Sequence, residues 1–255
     1  MKTREDLPIS VHLNGLRVAM LAFADVVDRL GPDTPVPTCP DWKLVNLIAH
    51  QGMVHRWATM NLRGGTLDPE ATEREGRRAA DRGEWLRDGA IEFVTTLTSA
   101  ADDVDALVFL RDAPPAKQFW ARRQCHETTV HAIDAVSTEL GRRPTTDDLP
   151  WLTSQIAADG IDELLTGFLP RSRSTMRLEA PLRLAVTPVD SELAWLVELG
   201  TEPAKVSRMA AAEVPASDVV VAGDLRASFL TLWNRSDEAA PDEWDFWRSG
   251  STVTW

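Results

Sequence analysis

Gln124-Cys125-His126-Glu127-Thr128-Thr129-Val130-His131-Ala132-Ile133-Asp134 carries two of the chain's five histidines, one of its two cysteines and two carboxylates. The stretch reads as helix. Phe119, Val130, Ile133, Val136 and Leu140 supply apolar support, and Gly141 is the stop. Glu127 and His131 are four residues apart, so on a helix they lie one above the other on the same face. A Glu and a neutral His stacked in this way can hold one metal ion between them, given a further ligand from elsewhere. His50 is the candidate for that ligand.

The elements on either side follow from apolar spacing. Leu13, Leu16, Met20, Phe23, Val27 and Leu30 step by three and four, which predicts an amphipathic helix over 9–30 ended by Gly31-Pro32. A loop with four prolines leads to a second helix over about 41–62. There His50 has Leu47, Met53, Val54 and Trp57 as neighbours and faces inward, whereas His55 lies about 140° around and is expected to face outward. The charge run from Glu70 to Arg82 reads as loop and solvated helical face, with a lid over a pocket as the sharper reading. Helices are predicted over 85–101 and 150–168. Beyond Ser172 the pattern changes to strands at 183–187, 195–199 and 218–223, a short helix from Leu225 to Trp233, and a closing strand within 244–255. The expected organisation is a helical domain over 1–171 and a small α+β domain over 172–255.

The bulk numbers bound the function. A chain of 255 residues has room for a full hydrophobic core. No apolar run approaches the ~20 residues of a membrane span, and the start at Met1-Lys2-Thr3-Arg4-Glu5-Asp6 has no signal-peptide pattern. A cytoplasmic protein is expected. A net charge of −12 argues against nucleic acid or an anionic membrane as a partner. Two cysteines, Cys39 and Cys125, are too few for a disulfide scaffold and are expected to be small buried hydrophobes.

His50, Glu127 and His131 form a two-His, one-carboxylate set that leaves a coordination position open, as in a catalytic zinc site; iron, nickel or manganese would accept the same ligands. Asp134, three residues beyond His131, is placed to receive the second ring N–H of a ligand. The segment from His126 to His131 has one residue too many for the H-E-x-x-H of zinc proteases, because the second histidine would have to stand at Val130. On spacing alone, Glu127 and His131 read first as an ordinary helix-surface pair, and His50 as a satisfied core histidine.

Longer motifs narrow these alternatives. Val36-Pro37-Thr38-Cys39-Pro40-Asp41-Trp42, continuing to Asn46-Leu47-Ile48-Ala49-His50, resembles the P-x-C-P-x-W-x-x-x-D/N-L-x-x-H lead-in to the second helix of the mycothiol-dependent maleylpyruvate isomerase family. Glu127 to Asp134 is similar to its E-x-x-V-H-x-x-D helix. Ala157-Ala158-Asp159-Gly160-Ile161-Asp162-Glu163 is similar to its A-x-D-G-I-D-E helix, and Gly223 to Arg235 to the G-x-x-x-x-L-x-x-x-L-W-x-R of its C-terminal domain. Asn234 departs from the usual Gly, and Ala132-Ile133 from a frequent Arg-Trp. The resemblance implies a DinB-like metal-binding four-helix bundle followed by a small α+β domain. It implies zinc on His50, Glu127 and His131, and Arg235 as a substrate-binding or catalytic arginine. It also implies an isomerase or S-transferase in which mycothiol attacks a small-molecule electrophile. A non-catalytic metal- or ligand-binding protein on the same bundle is the alternative.

Overall fold

The computed structural model describes residues 6–251. The start of the chain at 1–5, which carries the expected absence of a signal peptide, and the 252–255 end of the expected closing strand lie outside the described residues. Compactness divides the chain into two units: Leu7–Val108 with Pro114–Pro144, and Phe109–Ala113 with the residues from Thr145 onward.

The first unit is helical. Its elements are α1 (Ile9–Arg29), α2 (Leu44–Leu62), α3 (Pro69–Arg78), α4 (Arg82–Ser99) and α5 (Ala116–Leu140). α1 packs on α5 and α4, and α2 packs on α4 and α5, so these four helices close a bundle; α3 lies outside it against α2 and α4. α5 ends where expected, at Gly141, whose φ of +65° is the left-handed conformation a glycine takes without steric cost. Asp68 caps α3 and Asp81 caps α4, each accepting from a backbone N–H three residues on. α1 is long and apolar enough to cross a membrane by length and composition, which the sequence reading did not anticipate. Its Leu16, Ala19, Phe23 and Val26 are buried on the stripe that packs within the bundle.

The second unit holds α6 (Ser154–Asp162), which continues into a π-helical turn at Glu163–Phe168. It also holds strands β1 (Leu182–Val186), β2 (Leu193–Leu199), β3 (Lys205–Ala210) and β4 (Val219–Val221), then α7 (Leu225–Leu232) and α8 (Asp245–Gly250). The sheet order is β3-β2-β1-β4. β1 pairs antiparallel with β2 and parallel with β4, with Leu184 opposite Val197 on one side and Val219 on the other. The 154–168 helix belongs with the sheet by compactness, not with the bundle as the boundary near 172 assumed. The reason is visible at Asp162, which accepts from Trp195 Nε1 of β2 at 3.0 Å and from Arg208 of β3 at 2.5 and 2.8 Å. Trp233, at the end of α7, donates to the Gly160 carbonyl.

Two predictions in this unit require correction. β3 went unpredicted because it is a half-exposed edge strand with a single β-branched residue, Val206. The expected closing strand within 244–255 is helix over 245–250. Trp247 is fully buried there and donates to the Leu232 carbonyl at 2.9 Å, an aromatic anchor that a strand-propensity reading mistakes for a pleated face.

Candidate metal centre

α5 and α2 bring the three expected ligands together. His131 Nε2 lies 3.2 Å and His50 Nε2 3.6 Å from the same oxygen, Glu127 Oε1. One ligand atom from each residue lies within 4.8 Å of the other two. The imidazoles are 5.1 Å apart, nearly perpendicular, and both meet the Trp42 indole, which stacks on His131 and stands edge-on to His50.

Each ring is held from behind by a carboxylate. His131 Nδ1 is 2.9 Å from Asp134 Oδ2, as the three-residue spacing predicted. Asp134 in turn accepts from Thr38 Oγ1 at 2.6 Å, which ties the proline-rich loop to the site. His50 Nδ1 is 3.2 Å from Glu73 Oε1 on α3. With Nδ1–H donated backwards, each Nε2 carries a lone pair aimed at an anionic oxygen. Three acceptors then converge on one point, an arrangement that repels itself unless a cation joins it. Burial alone would lower the His50 pKa, but hydrogen bonds to Glu127 and Glu73 outweigh burial and lift it to about 9. The same carboxylates that favour a positive charge on His50 favour a cation beside it. A divalent ion fits the same donors, and the carboxylate–imidazole pairs behind it are the supporting shell that metal-bound histidines use.

Glu127 is buried. Burial would raise its carboxyl, but Arg123, His131 and His50 together hold it well below the usual range. Arg123, one turn upstream and equally buried, donates from Nη2 to Glu127 Oε2 at 2.5 Å and leaves Oε1 to the two rings. Arg123 was missed in the sequence reading, although its four-residue spacing from Glu127 was a readable signal. Glu73 was missed for a different reason: it sits in a charge run that looks like a solvated face, and its other oxygen accepts from Arg77.

His55 corrects a prediction. It is fully buried, with Nε2 2.8 Å from Gln51 Nε2 and 3.0 Å from Thr128 Oγ1, and its ring stacks on Phe93. Burial, then the nearby Arg56 charge, pushes its pKa down to about 3. The helical period predicted exposure because it assumes one wet face, whereas α2 is flanked by α3, α4 and α5. His126 is buried edge-on to His12 and is not part of the triad. Cys125 is buried as expected, while Cys39 is half-buried, being on the loop before α2. Arg235 follows Asn234, whose φ is +59°, just after α7, and its Nη1 donates to the Trp233 carbonyl at 2.7 Å.

Residues 13–136 match the family described as the mycothiol maleylpyruvate isomerase N-terminal domain. Two solved structures resemble the chain over 91% of its length and 91% of theirs, each at 15% sequence identity. One is a mycothiol-dependent maleylpyruvate isomerase (TM-score 0.57), and the other is a histidine-to-alanine mutant of a mycothiol-dependent maleylpyruvate isomerase (TM-score 0.59). At that identity the likeness speaks to the fold. No curated protein matches the sequence.

Proposed function

Because residues 13–136 belong to the mycothiol maleylpyruvate isomerase N-terminal domain family, we propose that the chain is a metal- and thiol-dependent enzyme, an isomerase or S-transferase that uses mycothiol. The observation that carries this reading is the convergence of His50, Glu127 and His131 on one point, with both rings braced by carboxylates. The ion they would hold is zinc or a similar divalent cation. When bound, such an ion supplies the Lewis acidity that lowers a thiol's pKa from its usual value of about 8.5.

The chain's own groups have definable tasks. Glu73 and Asp134 fix the tautomer and orientation of the two imidazoles. Arg123 offsets the Glu127 charge, so that the buried carboxylate is balanced before any ion arrives. Trp42 gives the site an apolar wall against both rings. Arg235 is assigned to an anionic group of the substrate, because a guanidinium fork suits a carboxylate. The thiolate adds to one carbon of a carbon–carbon double bond activated by a carbonyl, and the π electrons move onto the carbonyl as an enolate. If the enolate re-forms the double bond and expels the thiolate after rotation about the interim single bond, the substrate is isomerised; if a solvent proton instead reaches the enolate carbon and the carbon–sulfur bond is kept, the outcome is S-transfer. None of these steps needs a protein nucleophile. Small molecules are the proposed partners, and the cytoplasm the proposed location.

The test is metal analysis of the purified protein, followed by assay of mycothiol with maleylpyruvate and other electrophiles. Bound metal with catalysed isomerisation or thiol consumption supports the proposal. Bound metal without turnover of any electrophile favours the non-catalytic binding protein. A wild-type protein that takes up no divalent metal overturns the metal-dependent reading.

A further inference from the structure

We propose that Glu73 is a positioning residue for the metal centre, so that the charged surface helix α3 is docked by the same interaction that orients His50; this rests on the metal reading above. Three observations within the bundle unit carry it. The first is direct: Glu73 Oε1 is 3.2 Å from His50 Nδ1, while Oε2 accepts from Arg77 Nη1 at 3.0 Å, so both oxygens are engaged and the carboxylate is fixed in orientation.

The second is how α3 is held at the right height. The Trp85 ring of α4 is wedged between two glycines, Gly52 of α2 and Gly76 of α3. A Cβ at Gly76 would stand 2.6 Å from Trp85 Cη2, and a Cβ at Gly52 would overlap the same ring. Gly52 is two residues after His50, and Gly76 is three residues after Glu73 on the same face of α3. The indole therefore limits how closely α3 approaches α2 beside the Glu73–His50 contact.

The third is that the indole is itself locked. Arg56 of α2 places its guanidinium 3.9 Å from the Trp85 ring centroid, and donates to the Gly52 carbonyl at 3.0 Å and to the Trp85 carbonyl at 2.8 Å. A helix with so charged a sequence as Pro-Glu-Ala-Thr-Glu-Arg-Glu-Gly-Arg-Arg has little apolar surface with which to hold itself in place. Its attachments include the glycine–tryptophan contact, the carboxylate that braces His50, and Arg82 of α4, which donates from Nε and Nη2 to the Arg77 carbonyl.

The chemical consequence is specific. Glu73 accepts the Nδ1–H of His50 and so presents Nε2 to the ion with its lone pair free. Without that acceptor the ring can turn or change tautomer, and α3 loses one of its polar anchors.

The experiment compares wild type, Glu73→Ala, Glu73→Gln and Gly76→Ala, each stripped of metal with a chelator and titrated with Co2+ or Zn2+ in competition with a chromophoric chelator. Glu73→Ala is expected to raise the dissociation constant by about 10- to 100-fold. Glu73→Gln keeps an oxygen acceptor and is expected to recover much of the loss. Gly76→Ala, which displaces α3 without touching a polar group, is expected to mimic Glu73→Ala. The Co2+ absorption spectrum should change in Glu73→Ala and return towards wild type in Glu73→Gln. Amide exchange across 69–78 should slow on metal addition in wild type and not in Glu73→Ala. A folded Glu73→Ala that binds Co2+ with the wild-type constant and spectrum refutes the positioning role while leaving the metal site standing. A wild type that binds neither ion refutes both.

Discussion

Arg123 donates to Glu127 at 2.5 Å from one helical turn upstream, and both side chains are shut away from solvent. Removing the arginine leaves a buried carboxylate balanced by the two imidazoles alone. Arg123→Met is therefore expected to cost the metal-free protein about 3–5 kcal/mol of unfolding free energy, as breaking one side of a buried pair does. The double variant Arg123→Met with Glu127→Gln should recover most of that. Urea denaturation of wild type, Arg123→Met, Glu127→Gln and the double variant measures it, and an Arg123→Met protein as stable as wild type would contradict the pairing.

The histidines divide into two groups. His50→Ala is expected to abolish stoichiometric metal binding, because it removes one of three converging ligands. His126→Ala and His55→Gln should retain full metal content, since neither ring belongs to that triad. Elemental analysis after dialysis decides the matter; loss of metal in either of the latter would mean that the ligand set is misassigned.

Asp134→Ala probes the brace behind His131. The ring keeps its place on α5 but loses the acceptor 2.9 Å from Nδ1. Metal affinity should fall by about 10- to 100-fold. Equal affinity in a folded variant would show that the brace is dispensable.

His55 makes stability depend on pH. Its pKa is about 3 in the folded protein against 6.5 for an unperturbed histidine. Between those values the unfolded chain binds a proton that the folded one refuses. The contribution is thus complete above about pH 6.5 and is lost as pH falls, by up to about 1.4 kcal/mol per unit from this one site. His55→Gln should be less stable at neutral pH yet lose less on going from about pH 7 to about pH 5. Parallel slopes for the two proteins would show that His55 is not the titrating group.

In the sheet unit, Asp162→Asn weakens the acceptor shared by Trp195 and Arg208, and Arg208 also pairs with Asp112 at 2.6 Å. A loss of roughly 2–4 kcal/mol is expected, because the arginine is left half-satisfied in a largely buried position. Urea titration followed by the fluorescence of the chain's ten tryptophans measures it; an unchanged midpoint would count against the staple.

The features legible in the sequence were those set by local spacing. Glu127, His131 and Asp134 share one helix, so the 3.6-residue period places them without knowledge of anything else. Gly141 announced its left-handed cap by residue type. His50 needed a second helix, and the motif from Pro37 to His50 supplied the link that spacing could not. What stayed hidden depends on neighbours. His55 faces inward because three helices flank α2, and no one-dimensional pattern counts neighbours. Glu73 is one of several acids in a charged helix and is singled out only by its contact with His50 on a neighbouring helix. β3 and α8 were obscured because an edge strand can be polar and a short helix can be anchored by a single aromatic.

The pairing of β1 with β4 bears on how the chain is made. A growing polypeptide that has reached Ala210 already owns β1, β2 and β3 and can zip them as neighbours in sequence. The far edge of β1, from Leu184 to Val186, has no partner until Val219–Val221 leave the ribosome. During that interval a bare apolar strand edge faces the crowded cell, and it is there that chaperone dependence and aggregation during expression should concentrate.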